Sequence, residues 1–389
     1  MSGTGIEERI VYLDNAATSF PKPPAVWKAM EGYFFEIGGN PGRSGHRLSY
    51  RASEILFDAR EALARLFNIK SPERIVFTKN ATEAINVALY GLLRPGDRVV
   101  TTAMEHNAVM RPLRHLERTR GIQLEVVPAD SSGMVDLEAL AMALEKGAAL
   151  LVVNHASNVT GSMVDLVRVG ALARDAGVPL MVDVAQTAGC FPIDVEAMNI
   201  SILAFTGHKG LMGPQGTGGL YVAPGLEPEP LIRGGTGSNS ELEEQPSMWP
   251  DVHESGTPNV VGLAGLRAGV EFVMEQGVER VREHEGKLFL SFWDGAQKIP
   301  GLTLYGPRPW EERVAVVSLT LEGRDPAWVG YRLDRDFGVM VRVGLHCAPS
   351  AHRSIGTFPT GTVRVAFGFF NSQEDVAVVL EALETLARG

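Results

Sequence analysis

Hydrophobic and polar positions along this chain follow two alternating periods. Beyond Pro72, short β-branched runs at 75–78, 98–103, 124–128, 150–154, 180–183, 202–206 and 219–222 read as strands. Most are separated by stretches with apolar residues three or four apart, such as 136–146 and 165–176, which predict helices. This alternation builds a mostly parallel sheet with helices on both faces, and such sheets place their sites at the carboxyl ends of the strands. Ahead of them, 10–13 is a strand-like entry into the small, polar turn Asp14–Ser19. Val26, Met30 and Phe34 then recur at helical spacing, and Leu48, Ala52, Ile55, Ala59, Leu63 and Leu66 mark a long amphipathic helix.

The rhythm breaks at 227–250, a Pro, Gly, Ser and acidic stretch that reads as a surface excursion. After Pro258 come a long helix at 260–276, strands at 302–305, 314–320, 340–343 and 363–367, and a last helix from about Gln373. That helix sets Val376, Val379, Leu383 and Leu386 on one face. The pattern predicts an α/β chain with a large domain at 12–258, built on a mostly parallel seven-stranded sheet. A smaller α+β domain at 259–389 follows, and the segment 1–11 joins the two. No internal repeat is visible.

Composition narrows the function classes. The hydrophobic fraction of 45% and charged fraction of 21% over 389 residues are those of a soluble globular chain. A net charge of -10 argues against a nucleic-acid partner, which needs a basic face. The first residues lack the basic-then-apolar order of a signal peptide, and no apolar run approaches the length that spans a bilayer, so a cytoplasmic protein with no membrane partner is expected. Cys190 and Cys347 are the only cysteines, too few for a disulfide framework or a multi-cysteine zinc site. The histidines are scattered without metal-ligand spacing, so no metal is expected. The glycine-rich run 213–219 lacks the Lys-Ser/Thr ending of a nucleotide P-loop.

The unusual residues cluster where the predicted strands end. Asn80-Ala81-Thr82 follows one strand and opens a helix whose N–H groups suit an anion. Glu105-His106 follows another, as do Asn154 to Asn158, Asp183 to Gln186, and Thr206-Gly207-His208-Lys209. Each has a plain alternative, as a helix cap or a solvated side chain. Together they suit one cofactor: an acid beside a pyridine nitrogen, an imidazole on the ring, a helix N-terminus for a phosphate and a lysine as covalent anchor.

With these motifs, and with Tyr12 to Thr18, Ala81 to Asn86, Ser157 to Gly161, Gly256 to Asn259 and His346-Cys347-Ala348, the chain resembles the class V aminotransferase family, in its cysteine desulfurase and selenocysteine lyase branch. The resemblance implies a fold-type I enzyme using pyridoxal 5'-phosphate, with Lys209 as the Schiff-base lysine, Asp183 at the pyridine nitrogen, His106 stacked on the ring and Gln186 at the phenolic oxygen. Ala81, Thr82, Thr206 and His208 correspond to phosphate contacts, and Thr257 to one reaching across the interface of a homodimer. Arg364 matches the arginine that binds the substrate carboxylate, a task for a planar fork, with Asn158 near the same group. Ala16, in the first turn, and Arg43, in the glycine-rich and lid-like loop 38–45, are expected at the substrate.

Cys347 decides the expected reaction. A lone cysteine is usually a small buried hydrophobe, and Cys190 is read that way. The polar, proline-bounded Gly344 to Pro349 loop instead resembles the persulfide-forming loop of short-loop desulfurases, with His346 or Arg342 helping to lower the thiol pKa. The implied activity is removal of sulfur from L-cysteine, giving L-alanine and a persulfide for a sulfur-acceptor protein. Selenocysteine or cysteine-sulfinate lyase, aminotransferase and non-catalytic sulfur-transfer scaffold are the alternatives. Leu345, Asn107 and Ala366 depart from the commoner histidine, histidine or lysine, and serine at these positions, and bear on substrate and acceptor.

Overall fold

The computed structural model describes residues 10–42, 45–238 and 241–389. Its strands are β1 (Val11–Tyr12), β2 (Ile75–Thr78), β3 (Arg98–Thr102), β4 (Gln123–Val127), β5 (Leu150–Asn154), β6 (Leu180–Asp183), β7 (Ile202–Thr206), β8 (Gly218–Val222), β9 (Leu302–Tyr305), β10 (Val316–Leu321), β11 (Val339–Met340), β12 (Arg342–Gly344) and β13 (Thr362–Ala366). A seven-stranded sheet runs β2-β8-β7-β6-β5-β3-β4. Strands β7, β6, β5, β3 and β4 are parallel, and β8 runs antiparallel to both of its neighbours. The expected mostly parallel α/β architecture is therefore the observed one.

The central strands are apolar throughout because helices cover both faces. Val153, Val182, Leu203 and Phe205 enter one buried cluster, and Val152, Met181, Ile202 and Ala204 enter another across the sheet. Strand β7 ends at Gly207 for a steric reason. A Cβ there would meet Thr217 Oγ1 at 2.2 Å, and the Gly207 N–H is bonded to the Thr217 carbonyl at 2.8 Å. The chain must therefore turn, and it presents His208 and Lys209 as it does so.

A four-stranded antiparallel sheet, β12-β13-β10-β9, forms beside a second core that includes Leu13, Phe292, Val317, Val365 and Leu383. Strand β1 pairs in parallel with β11, and the Asp14 bridge to Ala366 continues the contact. The helix Val260–Gln276 opens where expected, yet Leu263, Leu266 and Val270 pack into the first core. The strand read at 340–343 is in fact two, because the chain leaves β1 after Met340 and joins β13 at Arg342. Likewise β10 starts at Val316, since the Val314 N–H is drawn to the Gly161 carbonyl. The helices Val278–Ala296, Pro326–Phe337 and Pro349–Ser354 add to the second region beyond the sequence reading.

Among its described residues the excursion 227–250 holds neither helix nor strand. Buried Arg74 anchors it, donating to the carbonyls of Ala223 and Leu226 and to Glu227, with its guanidinium 3.7 Å from the Trp249 ring. No helix among the described residues is long and apolar enough to cross a membrane.

Candidate active site

The sheet register sets Asn154 beside Asp183, and Asp183 beside Ala204 on β7. The polar residues that close β5 and β6 therefore lie side by side, and Thr206 closes β7 two residues further on, all at the carboxyl edge of the parallel strands. They line a cavity of about 230 Å³. Its walls include Ala16, Asn80, Ala81, Thr82, His106, Asn154, Asn158, Asp183, Gln186, Thr206, His208, Lys209, Arg342 and Arg364, all singled out from the sequence.

The lysine turn is clamped from the N-terminal segment. The His208 carbonyl accepts from the Ser19 N–H, Thr18 Oγ1 and Lys22 Nζ, and Ser19 Oγ donates to the Lys209 carbonyl at 2.8 Å. Burial, together with the charges of Arg364 and Arg342, holds the Lys209 pKa down at about 8, against an opposing pull from Asp183. Burial raises the Asp183 pKa, opposed by its bond from the Ala185 N–H and by Lys209. His106 caps the helix Asn107–Arg120, its Nδ1 accepting from the Ala108 N–H at 3.0 Å. Nδ1 is thus the acceptor and Nε2 carries the proton. Burial and the cations Lys209, Arg342 and Arg364 keep that ring neutral, with a pKa of about 4.

One end of the cavity is an anion cradle. The helix Ala81–Leu92 starts there, with Asn80 Oδ1 accepting from the Glu83 N–H at 2.9 Å. Among the described residues the Ala81 and Thr82 N–H groups take no bond, which is the ordinary state of a helix start and attracts a phosphate. Thr206 Oγ1 and His208 Nδ1 are buried in the same cavity without a partner among the described residues. Buried polar atoms rarely stay unpaired, so these groups await one.

Arg364 is fully buried and lines the same cavity. Its Nη2 donates to Asp14 Oδ1 at 2.6 Å and its Nη1 to the Asn158 carbonyl at 3.1 Å, while Nε has no partner among the described residues. The sequence reading missed Asp14 as the counterion. A carboxylate in the first turn was visible, but nothing local ties it to an arginine so far along the chain. Strands β12 and β13 place Arg342 directly across from Arg364, so two guanidinium groups share the cavity.

Cys347 is exposed, with its Sγ 3.6 Å from Arg342 Nη2. His346 and Cys347 both have left-handed backbones, φ 49° and 59°, which non-glycine residues seldom adopt. The surroundings enforce this: Asn158 Nδ2 donates to the His346 carbonyl at 2.6 Å, and the Asn107 N–H to the Cys347 carbonyl at 2.7 Å. Such locally costly geometry is characteristic of sites where a side chain must be presented. The expectation that His346 assists the thiol is corrected, because that imidazole is buried and hydrogen-bonded through Nε2 to Thr362 Oγ1 at 3.0 Å. Arg342 is the group in contact. Cys190, by contrast, is buried as expected, its thiol donating to the Gln186 carbonyl.

Of the expected residues that the structure describes, Thr257 and Cys347 do not line the cavity. Thr257 is exposed in a neighbouring cleft of about 260 Å³, and Arg43 lies outside the described residues.

The description "Aminotransferase class-V" belongs to the family profile that matches residues 11–379. The chain belongs to the aminotransferase class-V family. It is 37% identical over 384 residues to a probable cysteine desulfurase of Methanothermobacter thermautotrophicus, covering 97% of this chain and 94% of that one. Among solved structures, the apo cysteine desulfurase of Thermococcus onnurineus NA1 superposes with a TM-score of 0.91 at 35% identity, covering 98% and 95% of the two chains. The cysteine desulfurase CsdA of Escherichia coli, in an S-sulfonic acid form, gives 0.87 at 29% identity over 97% and 94%. The fold is accordingly that of the fold-type I enzymes, and pyridoxal 5'-phosphate is the cofactor of this class V family. The anion cradle and the unpartnered Thr206 and His208 atoms fit that group.

Glu105, at the rear of the site, offers a stability prediction. Its Oε1 accepts from Thr102 Oγ1 at 2.7 Å and from the Asn154 N–H at 3.0 Å, and Oε2 is buried without a partner among the described residues. Burial raises its pKa to about 8. A raised acid pKa means that the native state favours the protonated form. Stability from this group is therefore full below the unfolded pKa near 4.5 and is lost as pH rises towards 8. Glu105→Gln should flatten the fall in chemical-denaturation stability between pH 5 and 8 by on the order of 2–4 kcal/mol. Parallel pH profiles for the two proteins would remove Glu105 from this role.

Proposed function

We propose that this chain is a pyridoxal-phosphate-dependent cysteine desulfurase that releases L-alanine from L-cysteine and carries the sulfur on Cys347. The observation that carries the reading is the convergence of Lys209, Asp183, His106, the anion cradle and Arg364 on one cavity, with the Cys347 thiol beside Arg342 at its edge. The cysteine desulfurase names of the relatives support it.

Ala81, Thr82, Thr206 and His208 would hold the cofactor phosphate, Asp183 the pyridine nitrogen, His106 the ring face and Gln186 the phenolic oxygen. When bound, pyridoxal phosphate supplies an electron sink that stabilises negative charge at the substrate α-carbon. Arg364 and Asn158 orient the substrate carboxylate, and Ala16 forms the wall beside them. Arg43 is assigned to the substrate side from sequence alone. Lys209 removes the α-proton and returns a proton as carbon–sulfur cleavage proceeds. Cys347, as thiolate, attacks the substrate sulfur. A sulfur–sulfur bond forms, the carbon–sulfur bond breaks, and its electron pair stays on carbon, which is protonated to give alanine. Arg342 neutralises the thiolate before attack.

The exposed position of Cys347 suits delivery to a sulfur-acceptor protein. Large exposed apolar side chains along the first helices, Trp27 at 65%, Phe35 at 84% and Phe57 at 62%, are the surface expected of a homodimer. In that dimer Thr257 would reach the partner's phosphate site. Sedimentation equilibrium should return twice the chain mass, and a monomer at micromolar concentration would contradict this assembly. The residue ranges 12–258 and 259–389 remain our domain division, with the packing of Val260–Gln276 on the first core as the point against it.

The deciding experiment incubates the holoenzyme with L-cysteine, selenocysteine and cysteine sulfinate, measuring alanine and the mass of the Cys347 peptide. Alanine from cysteine with a 32 Da gain on that peptide is expected. Alanine without the gain would redirect the reading to a lyase that does not use Cys347. Arg364→Lys should raise KM for cysteine by about 10–100-fold while changing kcat less, because a point charge replaces a bidentate fork. An unchanged KM would show that the carboxylate binds elsewhere.

A further inference from the structure

Asn154 lines the site cavity, and its neighbour His155 lines a different one of about 360 Å³. The alternation of side chains at the end of a strand sends successive residues to opposite faces. This second cavity lies between the strap 162–167 and the turn Trp310–Glu312, which are tied by the Met163 N–H to the Glu312 carbonyl at 2.8 Å. Its walls are apolar and polarisable, with Met134, Met163, Met198, Leu137, Leu166 and Phe191. The rim carries the exposed carboxylates Asp165, Glu311 and Glu312.

His155 is 1% exposed and is the one imidazole in the lining. Its Nδ1 is 2.9 Å from Thr187 Oγ1, and that hydroxyl donates to the Val184 carbonyl. We assign the Thr187 hydroxyl proton to the Val184 carbonyl, 3.4 Å away, so that Nδ1 carries the imidazole proton and Nε2 keeps a lone pair that takes no hydrogen bond among the described residues. Burial and the nearby Arg282 cation hold the ring neutral, with a pKa of about 3. Arg282 itself is occupied, stacking 4.7 Å from the Phe191 ring and donating to the carbonyls of Arg313 and Trp310. The edge-on contact of His155 with Phe191, at 4.8 Å between centroids, fixes the orientation of the imidazole.

We propose that this cavity binds a compact aromatic molecule bearing a single N–H or O–H donor, of the indole or phenol class, with the donor on His155 Nε2. The methionines and Phe191 supply the contacts that aromatic faces and edges favour. The size suits a small ligand. The carboxylate rim turns away anions, and the single acceptor selects for a donor. The site is independent of the proposed desulfurase reaction.

Isothermal titration of the wild-type holoenzyme with indole, 1-methylindole and indole-3-acetate tests this directly. Indole should bind saturably at one site, with 1-methylindole and indole-3-acetate each at least about tenfold weaker. The exposed double change Glu311→Lys with Glu312→Lys should recover indole-3-acetate binding, and His155→Phe should bring indole and 1-methylindole to the same affinity. Should His155→Phe fail to fold, the three wild-type titrations and the rim variant still decide. Equal affinity for indole and 1-methylindole in the wild type, no saturable indole binding, or displacement of indole by saturating L-alanine would overturn the proposal. The last outcome would put the probe in the cavity that contains Lys209.

Discussion

Replacing Lys209 with alanine is expected to lower alanine formation from L-cysteine by at least about 10³-fold, with the melting temperature little changed. The side chain projects into a cavity, and the turn that carries it is held through backbone carbonyls by Thr18, Ser19 and Lys22, so truncation leaves those bonds intact. What is lost is an amine whose pKa of about 8 leaves roughly a tenth of it neutral at pH 7. An ordinary lysine, near 10.5, would be almost wholly protonated there and unable to take a proton. The same shift sets the pH dependence of the ligand-free enzyme. The neutral amine gains population as pH rises through about 8, so covalent capture of the cofactor by apoenzyme should speed up through that range and level off above it. In Lys209→Ala, borohydride should no longer fix cofactor to the chain, and added methylamine should restore part of the alanine formation. Alanine formation within tenfold of wild type would assign the base to another residue.

Much of the site was legible because parallel strands report their own ends. In each of β5, β6 and β7 an apolar run stops at a polar residue, Asn154, Asp183 and Thr206, and the register places Asn154 beside Asp183, with Thr206 two residues beyond Asp183's partner Ala204. Local periodicity cannot show pairings across the chain. The Asp14 to Arg364 ion pair joins residues at opposite ends of the sequence, and it forms where the chain, just after β1 pairs with β11, bridges from Asp14 to Ala366 at the end of β13. The same limit explains the strand at 340–343: its residues are uniformly β-forming, and only the change of partner from β1 to β13 divides it. The helix Val278–Ala296 did carry a signal, with Val281, Leu288, Phe292 and Ala296 at helical spacing and buried. The role given to His346 failed for a different reason. Adjacency in sequence says nothing about direction, and the left-handed turn at His346 and Cys347 sends one side chain into the core and the other to the surface.

Cys347→Ser should keep the cofactor and its absorbance yet lose at least about 10²-fold in sulfur release from L-cysteine. The hydroxyl is a far weaker nucleophile towards sulfur than the thiol it replaces. The loop should survive the change. Its unusual backbone is fixed by the Asn158 side chain on the His346 carbonyl and by the Asn107 N–H on the Cys347 carbonyl, and neither bond involves the thiol. This separates the nucleophile from its support. Asn158→Ala removes one of the two bonds to the loop and should slow sulfur transfer less than Cys347→Ser does, while lowering the rate at which iodoacetamide alkylates Cys347. Arg342→Ala removes the cation 3.6 Å from Sγ and should slow that alkylation while leaving the melting temperature unchanged. If Cys347→Ser released sulfide at the wild-type rate, the strained loop would have to serve acceptor docking instead, and substrate sulfur would leave the site without a covalent stop on the protein.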